Sequence, residues 1–190
     1  MSKSGEHIEL WISFLQGESE SVSALMRIYF KDLAQYGMRF TNDKELIKDV
    51  IQELFFNLWE RRTYLSESVQ VKPYLFACLR RLIYKKVKEL RRVSLITSED
   101  LEVENFSFSV TIDEAIIANE SSNAISNHFN GLIESLPKRQ REVIYLKFFQ
   151  SFSREEISSI LGITPQTVSN LLQIALNRLR VATPDSIFRL

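Results

Sequence analysis

The stretch that decides the fold reads FSREEISSILGITPQTVSNLLQIALNRLR and runs from Phe152 to Arg180. Three of its apolar residues lie three and four positions apart, which places them on one helical face: Ile157, Ile160 and Leu161. Gly162 follows at once, and a glycine here ends a helix because it tolerates positive φ. Thr164 can cap a second helix, and Pro165 suits its first turn, where the N–H that proline lacks would be unbonded.

The second predicted helix has one apolar and one polar face. The apolar positions repeat at helical spacing: Val168, Leu171, Leu172, Ala175 and Leu179. The opposite face carries amides and a hydroxyl: Gln166, Ser169, Asn170, Gln173 and Asn177. Amides pair bidentately with adenine, and this layout is typical of a helix-turn-helix whose second helix enters the DNA major groove. A helical hairpin inside an ordinary core is the alternative, since two amphipathic helices joined by a glycine turn are common.

Composition favours an all-α protein. Among 190 residues, 45% are apolar, and only 5 Gly and 4 Pro are present, which is unlike a turn-rich β protein. Periodicity weakens over a Ser- and acid-rich stretch and then recovers, so we predict two small helical domains, 1–92 and 125–190, joined by an acidic linker, 93–124. Leu95, Phe106 and Phe108 are expected to act as apolar anchors in that linker.

The net charge is zero, but its distribution is uneven. Residues 72–92 carry +7 and residues 138–180 carry +4, whereas residues 93–137 contain no Lys or Arg and carry −8. Two basic blocks separated by an acidic one favour two separate phosphate-contacting surfaces.

The segment 43–62 is the clearest single helix. Its predicted buried side consists of Ile47, Val50, Ile51, Leu54 and Leu58, and its polar side contains Asp49, Gln52, Glu53 and Glu60. Phe56 falls within that acidic side and Trp59 near its edge, a pattern that favours docking to another protein. The alternative, that neighbouring segments cover both rings, stays open.

Pro73 is expected to open the basic helix PYLFACLRRLIYKKVKELRR. Its polar side mixes cations with a ring: Arg80, Arg81, Tyr84, Lys85 and Lys88. Cations that track phosphates beside rings on which bases stack are what single-stranded nucleic-acid binding requires, although a solvated basic helix is the alternative. In the second domain, KRQREVIYLKFF predicts one helix that packs against the helix-turn-helix and starts with cations, which favours an external phosphate because cations disfavour a helix N-terminus.

These segments together resemble the extracytoplasmic-function (group IV) sigma factors, which are promoter-recognition subunits of bacterial RNA polymerase. The resemblance covers nearly the whole chain. DVIQELFFNLWERR is similar to the family's polymerase-docking helix, the basic helix to the one that engages the −10 promoter element, and LPKRQREVIYLKFF with the helix-turn-helix to the module that reads the −35 element.

The resemblance implies a role for each group of residues. The polymerase core would be bound by Asp49, Gln52, Glu53, Phe56 and Trp59. The −10 element would be bound by Arg80, Arg81, Tyr84, Lys85 and Lys88. The −35 bases would be read by Gln166, Thr167, Ser169, Asn170 and Gln173. Phosphates would be held by Lys138, Arg139, Arg141, Arg154, Arg178 and Arg180. The chain departs from the family at Arg81, where Asn is common, and after Val168, where a basic run is usual.

The expected function is therefore a sigma factor that binds RNA polymerase core and promoter DNA. The resemblance also implies an anti-sigma factor as a partner. A stand-alone helix-turn-helix regulator with an N-terminal interaction domain is the alternative. An enzyme is not expected, and neither is a cofactor or metal, because the chain has two His, no Gly-rich phosphate loop and no Cys/His cluster with metal spacing. Apolar runs too short to span a bilayer and the absence of a secretory cleavage signal predict a cytoplasmic protein without direct membrane insertion.

Overall fold

The computed structural model describes residues 3–93, 106–108 and 129–182. Contacts divide the chain into two compact units, Met1–Glu102 with Ser159–Gly162 in the first and Val103–Ser158 with Ile163–Leu190 in the second. Within the described ranges every regular element is helical, which confirms the predicted all-α class. Most of the predicted linker, 93–124, lies outside the described residues, so its boundaries stay a prediction.

Among the residues described up to position 93, the first unit forms four helices, α1 (Lys3–Gln16), α2 (Ser19–Gly37), α3 (Lys44–Glu60) and α4 (Val71–Val93), and a 3₁₀ turn at Arg62–Tyr64. Gly17 separates α1 from α2 with φ of +90°, as a glycine can at low cost. Asp43 caps α3, because its Oδ1 accepts the N–H of Leu46 at 3.0 Å. The predicted start of α4 was wrong by two residues, and Pro73 lies in its first turn.

Aromatic rings fill the core of the first unit. Trp11 stacks on Phe14 with ring centroids 5.1 Å apart, and Tyr36 stacks on Phe76 at 4.9 Å. The apolar side predicted for α3 is buried at all five positions. In α1, Trp11 and Phe14 are buried, whereas Ile8 is half exposed.

The second unit contains helical residues 129–135 (α5), α6 (Lys138–Ile144), the first five residues of α7 (Arg154–Leu161) and α8 (Pro165–Ala182). Helix α6 packs on α8, as predicted. The single helix predicted through Phe149 was wrong in its last part, since Tyr145–Phe149 forms a π-helical turn in which the Gln150 N–H bonds the Tyr145 carbonyl at 3.2 Å. Such turns are rare and often lie at functional sites.

Phe106 and Phe108 also belong to the second unit. Both side chains are buried, and both rings meet the ring of Tyr145 edge-on, at centroid distances of 5.8 and 5.4 Å. These two residues therefore pack as the predicted anchors, whereas Leu95 lies outside the described residues.

Candidate polymerase and promoter interfaces

Helix α3 presents a solvated face with an uncovered ring. Phe56 is 61% exposed, and Asp49 and Gln52 beside it are exposed as well. No neighbouring described segment covers Phe56, whereas the adjacent Phe55 is 3% exposed and lies in the core. An exposed phenyl ring framed by a carboxylate and an amide is suited to contact with a protein partner.

Trp59 is less accessible than Phe56. Its ring packs edge-on against Phe14 at 5.7 Å, and the guanidinium carbon of Arg62 lies 4.3 Å from the ring centroid. Arg62 Nη1 also donates to the Trp59 carbonyl at 2.8 Å. Trp59 therefore stabilises the end of α3, and only its outer part is available to a partner.

Glu53 already has a partner inside the first unit. Its Oε2 lies 3.1 Å from Lys86 Nζ, which joins α3 to α4. The hydrogen bond and charge of Glu53 raise the pKa of Lys86 above its ordinary value. Sequence reasoning did not find Lys86, because no local pattern links residues 33 positions apart on different helices.

The cations of α4 differ in how they are held. Arg81, Lys85 and Lys88 are exposed, and Lys85 is 4.0 Å from Glu89, one helical turn onward. Arg80 instead lies over the ring of Tyr84, with its guanidinium carbon 4.6 Å from the ring centroid. Three exposed cations on one helix provide a surface that attracts phosphate.

Tyr84 is not an open stacking platform. Its ring meets Phe40 edge-on at 5.8 Å, and its hydroxyl accepts from Arg80 Nη2 at 3.2 Å. A base could stack on this ring only if Arg80 moved. Tyr84 and Arg80 therefore form a packed pair, whereas Arg81, Lys85 and Lys88 are exposed to solvent.

The helix-turn-helix forms as its residues predict. Gly162 has φ of +66°, and Thr164 Oγ1 accepts the N–H of Thr167 at 3.1 Å as the cap of α8. A capping box that the sequence reasoning missed starts α7: the Ser153 N–H donates to Glu156 Oε2 at 2.6 Å, and the Glu156 N–H to Ser153 Oγ at 3.1 Å. The signal for it is the Ser-x-x-Glu spacing.

The polar face of α8 points away from the unit's core. Its exposed members are Gln166, Thr167, Asn170, Gln173 and Asn177. Gln166 Nε2 donates to Asn170 Oδ1 at 3.1 Å, so the two amides form one pair that still offers an oxygen and an NH₂ group. Ser169 Oγ is used within the helix, where it donates to the Pro165 carbonyl at 3.2 Å.

The apolar face of α8 is less buried than its spacing predicts. Only Val168 and Ala175 are buried in α8, and Leu171, Leu172 and Leu179 are partly exposed. Ile174 and Leu176 are exposed. The physical reason is length: α6, which packs on α8, has 7 residues, whereas α8 has 18, so the apolar stripe of α8 is longer than the helix that packs on it.

The six cations predicted to hold phosphate have different surroundings. Arg139, Arg178 and Arg180 are exposed, and Lys138 is partly exposed. Arg154 Nη2 lies 2.8 Å from Glu155 Oε1, and this contact lowers the pKa of Glu155. Arg141 Nε is buried without a hydrogen-bond partner among the described residues. The exposed arginines are therefore best placed to meet an anion.

Three further observations concern the described residues. In the ranges that the structure describes, no group of three His, Cys, Asp or Glu side chains could hold a metal ion. In the same ranges, no helix has the length and apolarity needed to cross a membrane. Cys78 is partly buried, and burial raises the pKa of its thiol.

Both units contain segments that match models of known protein families. Residues 25–93 match the family model Sigma-70 region 2, and residues 129–179 match Sigma-70, region 4. Together the matches cover more than half of the chain, and they define a sigma-70-type transcription initiation factor. A stand-alone helix-turn-helix regulator is not favoured, because the first unit matches a sigma region of its own.

Individual relatives agree with this class. The ECF RNA polymerase sigma factor SigL of Mycobacterium tuberculosis is 23% identical over 181 residues, which are 90% of this chain and 96% of the relative. The corresponding sigma factor SigM of Bacillus subtilis is 24% identical over 160 residues, which are 84% and 93%. A solved complex of the sigma factor RpoE with the anti-sigma factor NepR from Bartonella quintana shares the fold, with a TM-score of 0.58, 18% identity and coverage of 84% and 94%.

The chain belongs to the extracytoplasmic-function sigma factors of bacterial RNA polymerase. Members of this family bind the polymerase core and promoter DNA and direct the initiation of transcription. They are initiation factors without catalytic chemistry of their own.

Proposed function

We propose that the chain performs initiation with three surfaces: the Phe56 face of α3 binds the polymerase core, the exposed cations of α4 bind the −10 strand, and the amide face of α8 reads the −35 bases. The observation that carries this proposal is the exposure of Phe56 next to a fully buried Phe55. A single exposed ring is common on protein surfaces, but a ring framed by the Asp49 carboxylate and the Gln52 amide is suited to contact with a protein partner.

The proposed docking surface consists of Asp49, Gln52 and Phe56, with Trp59 at its edge and Glu53 held by Lys86. The carboxylate and amide would orient a partner, and the ring would bury apolar area at the centre of the contact. Aromatic residues near the centre of an interface commonly provide most of its binding free energy.

The proposed −10 contacts are Arg81, Lys85 and Lys88, with the Arg80–Tyr84 pair beside them. Cations on this face would hold the phosphates of the unpaired strand, and that contact would offset part of the free energy lost when bases unstack. Arg80 and Tyr84 would support this face from within the unit and contact a base only after Arg80 moves.

The proposed −35 contacts are Gln166, Asn170 and Gln173, with Thr167 and Ser169 along the same side of α8. Base reading would come from the amides, since the Ser169 hydroxyl is used within the helix. The recognition helix has no basic run, so phosphate binding would come from cations outside the amide face. Of the six cations assigned to phosphate binding, Arg139, Arg178 and Arg180 are exposed.

These surfaces would act jointly on the polymerase. Linking two weak DNA contacts on one chain raises the effective concentration of the second once the first has formed. The proposal includes no catalysis and no cofactor, and it places the protein in the cytoplasm with its polymerase. An anti-sigma factor is a proposed partner, supported by the structural likeness to RpoE in its complex with NepR.

The test is reconstitution with bacterial core enzyme and promoters selected from random DNA. An Asp49→Arg, Phe56→Ala variant should lose core binding and promoter-specific transcription. The matched control is Glu67→Arg, Tyr64→Ala, which makes the same two kinds of change at exposed residues of the same unit and should keep both activities. Retention of core binding by the first variant, or its loss by both, would contradict the proposed docking face.

A further inference from the structure

Two aromatic residues upstream of the region 4 match are integral to the second unit. Phe106 is 0% exposed and Phe108 is 3% exposed, although the match starts only at residue 129. Their rings lie 6.3 Å apart and both contact Tyr145, and Phe108 also meets Phe149 at 5.1 Å. Ser107 between them is exposed. We call Phe106–Phe108 the aromatic anchor.

The surface that receives the anchor is built by the π-helical turn. Tyr145 and Phe149 lie at the two ends of that turn and stack with an interplanar angle of 8° and a centroid distance of 5.7 Å. The Tyr145 hydroxyl accepts from Gln150 Nε2 at 3.1 Å, which satisfies its polar end. The turn thus presents two fixed rings to the anchor, and the buried apolar area opposes detachment.

The anchor changes how much chain connects the two units. Helix α4 ends at Val93, so twelve residues, 94–105, separate it from the anchor. A fully extended chain of that length reaches at most about 45 Å. The next described residue after the anchor is residue 129, and the covalent limit on the chain from Val93 to that residue is about 120 Å.

We propose that the aromatic anchor shortens the tether between the two DNA-contacting units and thereby limits the promoter spacer lengths that the protein accepts. The promoter part rests on the proposed function, in which each unit contacts one promoter element. The tether part depends only on packing within the second unit. Neither family match includes the anchor.

The first experiment measures the tether in the isolated protein by electron-spin distance measurements. Spin labels are attached at Gln35→Cys and Asn177→Cys, both exposed, in a Cys78→Ala background. Phe106→Ser with Phe108→Ser should broaden the distance distribution towards longer values, because the covalent limit on the connection rises from about 45 Å to about 120 Å once the anchor is released. A distribution identical to that of the parent protein would overturn the proposal.

Matched control variants distinguish loss of the anchor from a general disturbance of the fold. Ser107→Ala changes the exposed residue of the same segment, and Phe148→Ser removes an exposed ring of the same turn, so both should keep the parent distribution. If the double variant does not fold, the same distance measurement is made on Phe149→Ala, which removes one of the rings against which the anchor packs. Broadening in that variant supports the anchor, and an unchanged distribution overturns it.

The second experiment uses holoenzyme and a promoter series in which the spacer grows by single base pairs, each adding about 3.4 Å. The anchor variant should shift its optimum to spacers longer by at least one base pair, whereas the two controls should keep the parent optimum. An unchanged optimum in a variant with a broadened distance distribution would overturn the promoter part. Absence of promoter-specific transcripts from the parent protein would instead contradict the proposed function. The spin-label distances would still test whether the anchor shortens the connection between the units.

Discussion

Lys86 Nζ lies 3.1 Å from Glu53 Oε2, and this ion pair connects α4 with α3. It therefore joins the proposed −10 helix to the proposed polymerase-docking helix. Both side chains are about one-third exposed, so the contact is partly screened by solvent and salt. One of the five residues assigned to polymerase binding is thus also a structural residue of the first unit.

We expect Glu53→Gln and Lys86→Met to lower the urea midpoint of unfolding by similar amounts, and the double variant to lower it little more than either, because each change removes the same contact. The coupling should shrink at high salt. The raised pKa of Lys86 means that its contribution is complete at neutral pH and is lost only as pH rises through that pKa.

The control for this prediction is Lys48→Met. Lys48 Nζ lies 3.8 Å from Glu45 Oε2 on an exposed helical turn, where pairs contribute little. Additive effects of Glu53→Gln and Lys86→Met at low salt would contradict the proposed coupling.

The neighbours Phe55 and Phe56 should respond in opposite ways to truncation. Phe55→Ala removes a buried ring and should reduce the free energy of unfolding by about 3–5 kcal/mol. Phe56→Ala should change it by less than about 0.5 kcal/mol but weaken core binding about tenfold or more, which is about 1.4 kcal/mol. Urea unfolding and core-binding titrations measure the two quantities, and normal core affinity of Phe56→Ala would contradict the assignment.

Gln166 and Asn170 should contribute jointly to recognition of the −35 bases. Each single alanine variant should alter the preferred −35 bases, with a loss of about 1–3 kcal/mol per bidentate contact, and the double variant should lose less than the sum because the amides hold each other. The measurement is binding to −35 duplexes with every base substitution.

Arg178→Ala is the contrasting variant for base reading. It should weaken all −35 sequences alike and reduce the salt dependence of binding. If Arg178→Ala and the amide variants change base preference in the same manner, the groove assignment of α8 is wrong.

Gly162 and Gly131 offer a test of backbone conformation. At Gly162 an added Cβ would meet no atom within 4 Å, but φ is +66°, so Gly162→Ala should reduce the free energy of unfolding by about 1–2 kcal/mol through strain alone. Gly131 has the same open surroundings without positive φ, and Gly131→Ala within α5 should raise it by about 0.5–1 kcal/mol. Thermal unfolding of both variants checks the opposite signs.

Cys78 should react slowly with thiol reagents at neutral pH. Burial raises the pKa of this thiol, while Tyr74 and Arg81 nearby only partly oppose that effect, and the thiolate is the reactive form. The rate of reaction with a disulfide reagent should rise steeply with pH and rise again in urea. A rate in the folded protein equal to that of the unfolded chain would contradict this expectation.

The sequence alone determined what depends on neighbours along the chain. Helical spacing identified the buried side of α3 at five positions, and Gly162 with Thr164 identified the turn before α8. It also identified Phe56 as a residue of a polar helical face. These features follow from backbone periodicity and local capping, which act within a few residues.

Only the tertiary structure decided which faces are covered and by what. In the folded protein Phe14 is buried and Ile8 is exposed. Arg62 lies over Trp59, and Lys86 pairs with Glu53. Phe106 and Phe108 pack against a ring of a π-helical turn. Helical spacing says which residues share a face, but not which other helix packs on that face. That choice depends on how distant segments fill a common core, and no local pattern contains it.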